Sequence, residues 1–210
     1  MSVPGPRPLV IGLCGGIGSG KSEVAGVLRD LGCVVADSDA QAREALRVPR
    51  VREQLVAWWG SGVLDPRGEI DRSRVASIVF AAPAERARLE SLLHPMVRAG
   101  RHALLERAGR DGAIALVIDA PLLHEAAVDR ECDWIIFVDA PREVRLERVR
   151  RSRGWDEAEL ARREASQLTP DDKMRRSDFV VANVGDPADL RTRVEAVLAE
   201  IRCRGPRAPR

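Results

Sequence analysis

A glycine-rich segment offers the chain's clearest candidate for chemistry. It reads Gly-Gly-Ile-Gly-Ser-Gly-Lys-Ser over residues 15–22, and this order fits the phosphate-loop pattern of Gly, four residues and Gly-Lys-Ser. Glycines let successive backbone N–H groups turn toward phosphate oxygens, and the lysine neutralises the terminal phosphates. The segment therefore predicts a nucleoside triphosphate site. Its predicted contacts are Gly16, Ile17, Gly18, Ser19 and Gly20, the ammonium of Lys21 and, toward Mg²⁺, the hydroxyl of Ser22.

The lysine in this segment stands out against the composition. The chain has 34 lysines and arginines, but Lys21 and Lys173 are its two lysines, so arginine fills every other cationic position. A compact ammonium suits a triphosphate cradle better than a planar guanidinium does. The composition therefore favours a functional role for Lys21.

Aspartates follow two of the predicted strands. Asp119 follows an apolar run, where it could hold a magnesium-bound water, and a turn at the strand end explains it equally well. The string Asp37-Ser38-Asp39 follows another run. A carboxylate there could accept a proton from an attacking hydroxyl, and capping of the next helix is an equal alternative.

The reaction class is narrowed by strings that are absent. The sequence has no Asn-Lys-x-Asp guanine reader, and Asp119 is followed by Ala120 rather than by the glutamate of a motor ATPase. The arginine-rich stretch 148–153 could instead form a lid that neutralises a transferring phosphoryl group. Most arginines in such a chain are solvated surface groups, so no single one is selected by its position. A small-molecule kinase is favoured.

Apolar runs of strand length must position these residues. They carry valine and isoleucine without polar alternation, which is typical of a parallel sheet covered on both faces. We therefore predict a doubly wound α/β fold with five strands, and ligands at the carboxyl ends of those strands. The runs are 9–13, 33–36, 113–118, 134–138 and 179–182.

Helical spacing between the runs predicts the remaining organisation. About 75 residues separate the second and third runs, far more than a crossover needs. We predict a phosphate-loop core, a helical acceptor subdomain, a lid and flexible termini. Trp58 and Trp59 are expected in the core of the subdomain, and His94 beside Pro95 reads first as a helix break. The core is 9–39 with 113–149 and 177–202, the subdomain 40–112, the lid 150–176, and the termini 1–8 and 203–210.

Composition limits the possible partners and compartment. A net charge of +2 creates no general field for nucleic acid or an anionic membrane. The four cysteines form no Cys-x-x-Cys pair, which argues against structural zinc and fits a reducing compartment. No apolar run reaches the length of a membrane span. We expect a cytoplasmic protein with no nucleic acid or membrane partner. A monomer is expected as well, with an oligomer left open because the sequence does not give the oligomeric state.

The ordered motifs resemble the dephospho-coenzyme A kinase family from about Leu9 to Ile201. The combination of the extended phosphate loop with Leu-Leu-His-Pro and Pro-Leu-Leu is specific. The matching strings are residues 11–22, Asp37-Ser38-Asp39 with Ala42-Arg43, Ile70-Asp71-Arg72, Val79-Phe80, Leu92-Leu93-His94-Pro95, Pro121-Leu122-Leu123 with Glu125, Gln167, Lys173, and Asp178 with Asn183.

This resemblance implies a nucleoside-monophosphate-kinase-like fold and a reaction. ATP would phosphorylate the ribose 3′-hydroxyl of dephospho-coenzyme A, with Mg²⁺ as cofactor. The resemblance implies that Asp39 is the base for that hydroxyl and that Asn183 lies near adenine. It also implies that the acceptor pocket is shaped by Arg72, His94 and Pro95.

Three residues depart from the family pattern. Glu23 stands where the family usually has threonine, so a side-chain contact to the α-phosphate is lost while the backbone N–H of Glu23 can still serve. Cys14 replaces a threonine and is expected to pack at the strand end. The family's lid arginine falls on Ser152, so a neighbour such as Arg151 is expected to supply its charge.

Two other functions stay open on the sequence alone. One is a nucleoside monophosphate kinase, or another small-molecule kinase, on the same core. The other is a regulatory ATPase that places its arginine segments on nucleic acid, against which the near-neutral net charge argues.

Overall fold

The computed structural model describes residues 7–207, and residues 1–6 and 208–210 lie outside it. Strands and helices alternate along most of these residues, as expected for an α/β fold. The strands are β1 (Leu9–Gly15), β2 (Val34–Asp37), β3 (Ala115–Asp119), β4 (Trp134–Asp139) and β5 (Phe179–Ala182). The helices are α1 (Lys21–Asp30), α2 (Ser38–Ala45), α3 (Pro49–Trp59), α4 (Arg72–Ala81), α5 (Pro83–Arg110), α6 (Arg142–Arg153), α7 (Glu157–Glu164), α8 (Pro170–Arg175) and α9 (Pro187–Arg204).

The five strands form one parallel sheet in the order β2-β3-β1-β4-β5. Apolar side chains of the central strands are buried on both faces, in two separate clusters. One cluster includes side chains of α1 and α9, and the other includes Ile118 and Phe137 from β3 and β4. The predicted five-stranded, doubly wound fold is confirmed.

Each strand begins and ends within two residues of its predicted bounds. The long helix α5 is continuous through Pro95. Residues 84–107 were predicted to form a long helix that is interrupted or kinked near His94 and Pro95. The structure has one helix, α5, which runs without interruption from Pro83 to Arg110. Proline removes one backbone donor but does not prevent a long helix whose other turns are intact. The long helix agrees with the prediction, and the expected interruption was wrong.

Residues 7–207 divide into two compact units. The first contains the residues through Asp37 and those from Leu104 onward, and it holds the sheet. The second, Ser38–Ala103, is helical and has its own core. That core includes Val51, Leu55, Val63, Val75 and Leu93, with Trp58 and Trp59 packed against it. The expected core position of the two tryptophans agrees with this packing.

The carboxyl-terminal segment makes contacts at the start of β4. Residues 203–210 were predicted to be flexible; in this range α9 continues to Arg204, and the residues after it contact Trp134 and Asp133. The indole N–H of Trp134 donates to the carbonyl of Gly205 at 2.8 Å, and the backbone N–H of Arg207 donates to Asp133 at 3.2 Å. Asp133 is buried and also accepts from the backbone N–H of Val10 at 2.8 Å. The expected flexibility of 1–6 and 208–210 lies outside the described residues.

Among residues 7–207, no helix is both long enough and apolar enough to cross a bilayer.

Candidate active site

The phosphate-loop segment connects β1 to α1 with alternating backbone handedness. Gly18 has a φ of 79° and Gly20 a φ of 84°, whereas Ile17 and Ser19 have ordinary negative φ values. This alternation of negative and positive φ is typical of a nest, in which successive N–H groups point into one anion-binding concavity. No described side chain caps α1, so its first N–H groups are also available to a ligand. The local structure fits a phosphate site.

Gly20 lies so close to Asn183 that no side chain fits at this position. A β-carbon at this position would lie 2.0 Å from Nδ2 of Asn183, and its left-handed φ would strain any other residue. The backbone and Asn183 therefore approach each other more closely than a side chain at this position would allow.

Lys21 and Asp119 form an ion pair at the carboxyl end of the central strands. Nζ of Lys21 lies 3.3 Å from Oδ1 of Asp119, and both side chains are less than one-fifth exposed. The sheet brings them together because Asp119 ends β3, where its register partners are Leu13 of β1 and Asp37 of β2. The expected positions of Lys21 and Asp119 near the loop agree with this geometry.

The donors at this end of the sheet fit Mg²⁺. Ser22 follows Lys21 in the first turn of α1 and is exposed, so its hydroxyl is free to meet a metal on the phosphates. Mg²⁺ is usually held by one or two protein oxygens together with phosphate oxygens and waters. In the described part of the chain, no group of three or more His, Cys, Asp or Glu residues could hold a metal alone.

Glu23 does not face the loop as an unpaired charge. Its Oε2 accepts from Nδ2 of Asn183 at 2.9 Å and lies 4.0 Å from Nη2 of Arg148. Nδ2 of Asn183 also donates to the carbonyl of Ser19 at 2.8 Å. Asn183 is buried beside the loop, and Glu23 joins its contacts there. The sequence did not indicate this partnership.

Two arginines of α6 reach the phosphate loop, and sequence reasoning singled out neither. Nη1 of Arg145 donates to the carbonyl of Ile17 at 3.2 Å, and Nη1 of Arg148 donates to that of Ser19 at 3.0 Å. Arg145 is buried and forms an ion pair with Glu164 of α7. A signal for Arg145 existed, because it lies one helical turn before the buried Val149, on the apolar face of α6.

A cavity of about 270 Å³ opens beside this arginine. It lies next to the phosphate loop at the end of β4, near the starts of α6 and α8. Its charged lining residues are of both signs, so it carries no clear preference for an anion. They are Asp139, Arg142, Arg145 and Asp171.

The predicted lid arginine, Arg151, is exposed in the last turn of α6. Its Nη2 donates to Glu147 at 3.1 Å, and the neighbouring Ser152 hydroxyl donates to the carbonyl of Arg148 at 2.7 Å. Arg153 and Arg163 instead lie against the ring of Trp155, with their guanidinium carbons 4.7 and 4.1 Å from its centroid. The contacts of Arg151 therefore do not include the phosphate loop.

Cys14 packs at the end of β1, directly before the loop. Its Sγ lies 3.4 Å from Oγ of Ser177 and 3.8 Å from Nε2 of His124. Burial raises the pKa of the Cys14 thiol from 9.0 to about 11, against smaller opposing effects of Ser177, Lys173 and Lys21. The thiol is therefore protonated at neutral pH and a weak nucleophile.

Lys173 is buried and structural. Its ammonium donates to the carbonyl of Pro121 at 3.0 Å and to Gln167 at 2.9 Å, and it pairs with Glu125 at 3.2 Å. These contacts tie α8 to the segment that follows Asp119. The chain thus uses one of its two lysines at the phosphate loop and the other as an internal tie.

The predicted acceptor residues all lie in the helical unit. Asp39 is exposed in the first turn of α2. Arg72 begins α4 next to the capping residue Asp71, whose carboxylate accepts from the Ser73 N–H at 2.9 Å. His94 and Pro95 are exposed within α5. All four are accessible to a ligand.

Comparison with known proteins gives consistent results. The family model described as dephospho-CoA kinase matches residues 9–189. A dephospho-CoA kinase of Anaeromyxobacter dehalogenans is 41% identical over 203 residues, which cover 95% of this chain and 96% of that protein. One of Geobacter sulfurreducens is 39% identical over 194 residues, covering 91% and 98%. The crystal structure of TT1252 from Thermus thermophilus matches with a TM-score of 0.80 and 35% identity, covering 93% of this chain and 99% of that one.

Proposed function

This chain belongs to the dephospho-coenzyme A kinase family, and on that premise we propose how its residues divide the reaction among them. The enzyme transfers the terminal phosphoryl group of ATP to the ribose 3′-hydroxyl of dephospho-coenzyme A, which gives coenzyme A and ADP. The observation that carries the site assignment is the nest at Gly18 and Gly20 with Lys21 at its end.

The loop and Lys21 bind the donor. Backbone N–H groups of residues 16–23 hold the phosphate oxygens, and the Lys21 ammonium neutralises charge that develops on the transferring group. Asn183, with Glu23 and Arg148 beside it, borders the adenine end of the site. Arg151 is the proposed lid contact to the phosphates, and it must leave Glu147 to reach them.

Asp39 activates the acceptor. Its carboxylate accepts the proton of the ribose 3′-hydroxyl as that oxygen attacks the terminal phosphorus, and the leaving group is ADP. Arg72, His94 and Pro95 shape the pocket that orients the acceptor. Their exposure in the helical unit supports this role.

Mg²⁺ fits the donors present, because the hydroxyl of Ser22 would bind it and Asp119 would hold it through a water. When bound, this ion neutralises phosphate charge and orients the phosphate oxygens. Lys21 and Asp119 hold each other in position at the same end of the sheet. We further propose that the enzyme acts in the cytoplasm as a monomer. We also propose that it has no nucleic acid partner, which its net charge of +2 supports.

A panel of acceptors tests the assignment against another kinase of this fold. Purified enzyme is given ATP with dephospho-coenzyme A, AMP or shikimate, and the product is located by ³¹P NMR. We expect a new 3′-phosphomonoester on dephospho-coenzyme A and turnover at least a hundredfold slower on the other two, since they lack the matched acceptor contacts. Comparable turnover of AMP or shikimate would refute the assignment.

A further inference from the structure

Two carbonyl groups of the phosphate loop are held by side chains that lie outside it. The carbonyl of Ile17 accepts from Nη1 of Arg145 at 3.2 Å. The carbonyl of Ser19 accepts from Nη1 of Arg148 at 3.0 Å and from Nδ2 of Asn183 at 2.8 Å. Three side chains that follow β4 and β5 therefore donate hydrogen bonds to the loop carbonyls at alternate residues.

Because the peptide bond is planar, hydrogen bonds to these carbonyls also fix the direction of the N–H groups in the same peptides. In a trans peptide the C=O and the following N–H point in opposite directions. The Ile17 carbonyl shares its peptide with the N–H of Gly18, and the Ser19 carbonyl shares its peptide with that of Gly20. A donor that fixes either carbonyl outward therefore turns the corresponding N–H inward, toward the nest.

We propose that Arg145 and Arg148 are positioning residues of the phosphate site, which orient the Gly18 and Gly20 amides by holding the carbonyls behind them. The inference rests on the assignment of this loop to the donor phosphates. Glycine has the widest conformational freedom of any residue, so Gly18 and Gly20 alone do not fix these peptide planes. Preorganised amides bind and stabilise phosphate charge without first having to rotate.

Arg145 is built for such a role. Its side chain is 8% exposed and anchored on three sides: by the carbonyl of Ala140 at 3.2 Å, by Ile17 and by Glu164. A β-carbon at Gly16 would lie 3.1 Å from its Nη1, so the guanidinium lies directly against the loop. Because Glu164 belongs to α7, Arg145 also links the loop to the segment predicted to act as a lid.

A purely structural role would have different consequences. An arginine that only stabilises the fold would, when removed, lower the thermal midpoint and weaken all ligands of the donor site alike. A residue that orients phosphate-facing amides affects the phosphates alone. Adenosine and ADP separate these cases, because they share the base and the ribose but only ADP reaches the nest.

The experiment compares Arg145→Met with Arg145→Lys by calorimetric titration of adenosine, ADP and ATP. Methionine keeps the unbranched side chain as far as the ε position but lacks the guanidinium and donates no hydrogen bond, so we expect ADP and ATP to bind about tenfold more weakly. Adenosine should bind as it does to the unaltered enzyme. Lysine retains donors and a charge for Glu164, and should restore most of the ADP affinity. Arg191→Gln is the matched control, because it removes an arginine from an exposed ion pair on α9, and it should change neither affinity.

Two further measurements distinguish a loss of amide orientation from misfolding of the variant. Arg145→Met combined with Glu164→Gln leaves no unpaired carboxylate, and this double variant should show the same selective loss of ADP affinity. In a ¹⁵N spectrum of the ligand-free enzyme, the Gly18 amide should shift in Arg145→Met and return in Arg145→Lys.

Unchanged ADP affinity in both methionine variants would overturn the proposal, as would an equal loss for adenosine. If the unaltered enzyme bound ADP no better than adenosine, the assignment of the loop to phosphates would fail instead.

Discussion

The ammonium of Lys21 lies 3.3 Å from a carboxylate oxygen of Asp119, at the point where β3 ends beside the phosphate loop. Each charge neutralises the other at the end of the sheet that carries the phosphate-loop segment. Breaking one partner of such a pair leaves the other charge poorly compensated. On the proposed assignment, the ATP phosphates would take the place of Asp119 as the partner of Lys21.

We expect Lys21→Met to abolish most of the activity, with kcat/KM lower by a factor of about a thousand, because a donor to the transition-state charge is lost. Lys21→Arg should recover little, since a planar guanidinium is too wide for the cradle. Steady-state kinetics with varied ATP measure both. Near-normal turnover in Lys21→Met would remove this lysine from phosphoryl transfer.

Glu23 provides a test of how this chain tolerates a carboxylate beside its loop. Glu23→Gln keeps an acceptor for Asn183, so ATP affinity should change by less than about threefold. Glu23→Lys places a cation against Arg148 and removes the acceptor, so ATP affinity should fall by about tenfold or more. Titration with ATP decides the matter. A tighter complex in Glu23→Gln would mean that the native carboxylate repels the phosphates despite its partners.

The buried thiols of Cys14 and Cys33 are expected to make the stability of the fold depend on pH. Burial raises the pKa of Cys14 and of Cys33 from 9.0 to about 11, so the unfolded chain loses these protons first. Stability is unaffected by them below pH 9 and falls as pH rises from about 9 to 11. The chain has no tyrosine and two lysines, so few other groups titrate there. Urea midpoints should fall over this interval, and less steeply in Cys14→Thr than in the unaltered enzyme; identical slopes would contradict burial as the cause.

The carboxyl-terminal contacts make a prediction about stability. A chain that ends at Arg204 loses the bonds from Trp134 to Gly205 and from Arg207 to Asp133, and should be about 1–2 kcal/mol less stable. A chain that ends at Arg207 retains them and serves as the control. Urea unfolding followed by tryptophan fluorescence measures the difference. Equal midpoints for the two truncated chains would show that these contacts contribute nothing.

The sequence predicted the parts of the site that are local. Residues 15–22 and the apolar run before them specify a strand, a loop and a helix, because each signal depends on neighbours along the chain. The partners of the loop were not predicted. Arg145 and Arg148 lie more than a hundred residues away from Ile17 and Ser19. The spacing of Arg145 from Val149 indicates that it shares the apolar face of α6, but no local pattern indicates which residues either arginine contacts. Long-range packing made that choice.

At the long helix α5, a local sequence rule alone did not predict the observed structure. The local rule that proline disturbs a helix predicted an interruption or a kink near Pro95, and the helix continues without interruption to Arg110. Val97 and Leu93 on either side of the proline are buried. Their packing outweighs the loss of one backbone hydrogen bond.

The central claim is that Asp39 is the base for the acceptor hydroxyl, and Asp39→Asn tests it most directly. Asparagine has the same shape but cannot take up the proton, so kcat with dephospho-coenzyme A should fall by about a hundredfold or more while the Kd for ATP stays within about twofold. The measurement is single-turnover phosphorylation of dephospho-coenzyme A, together with an ATP titration of the same protein. The account predicts lost chemistry with retained ATP binding; turnover equal to that of the unaltered enzyme would contradict it.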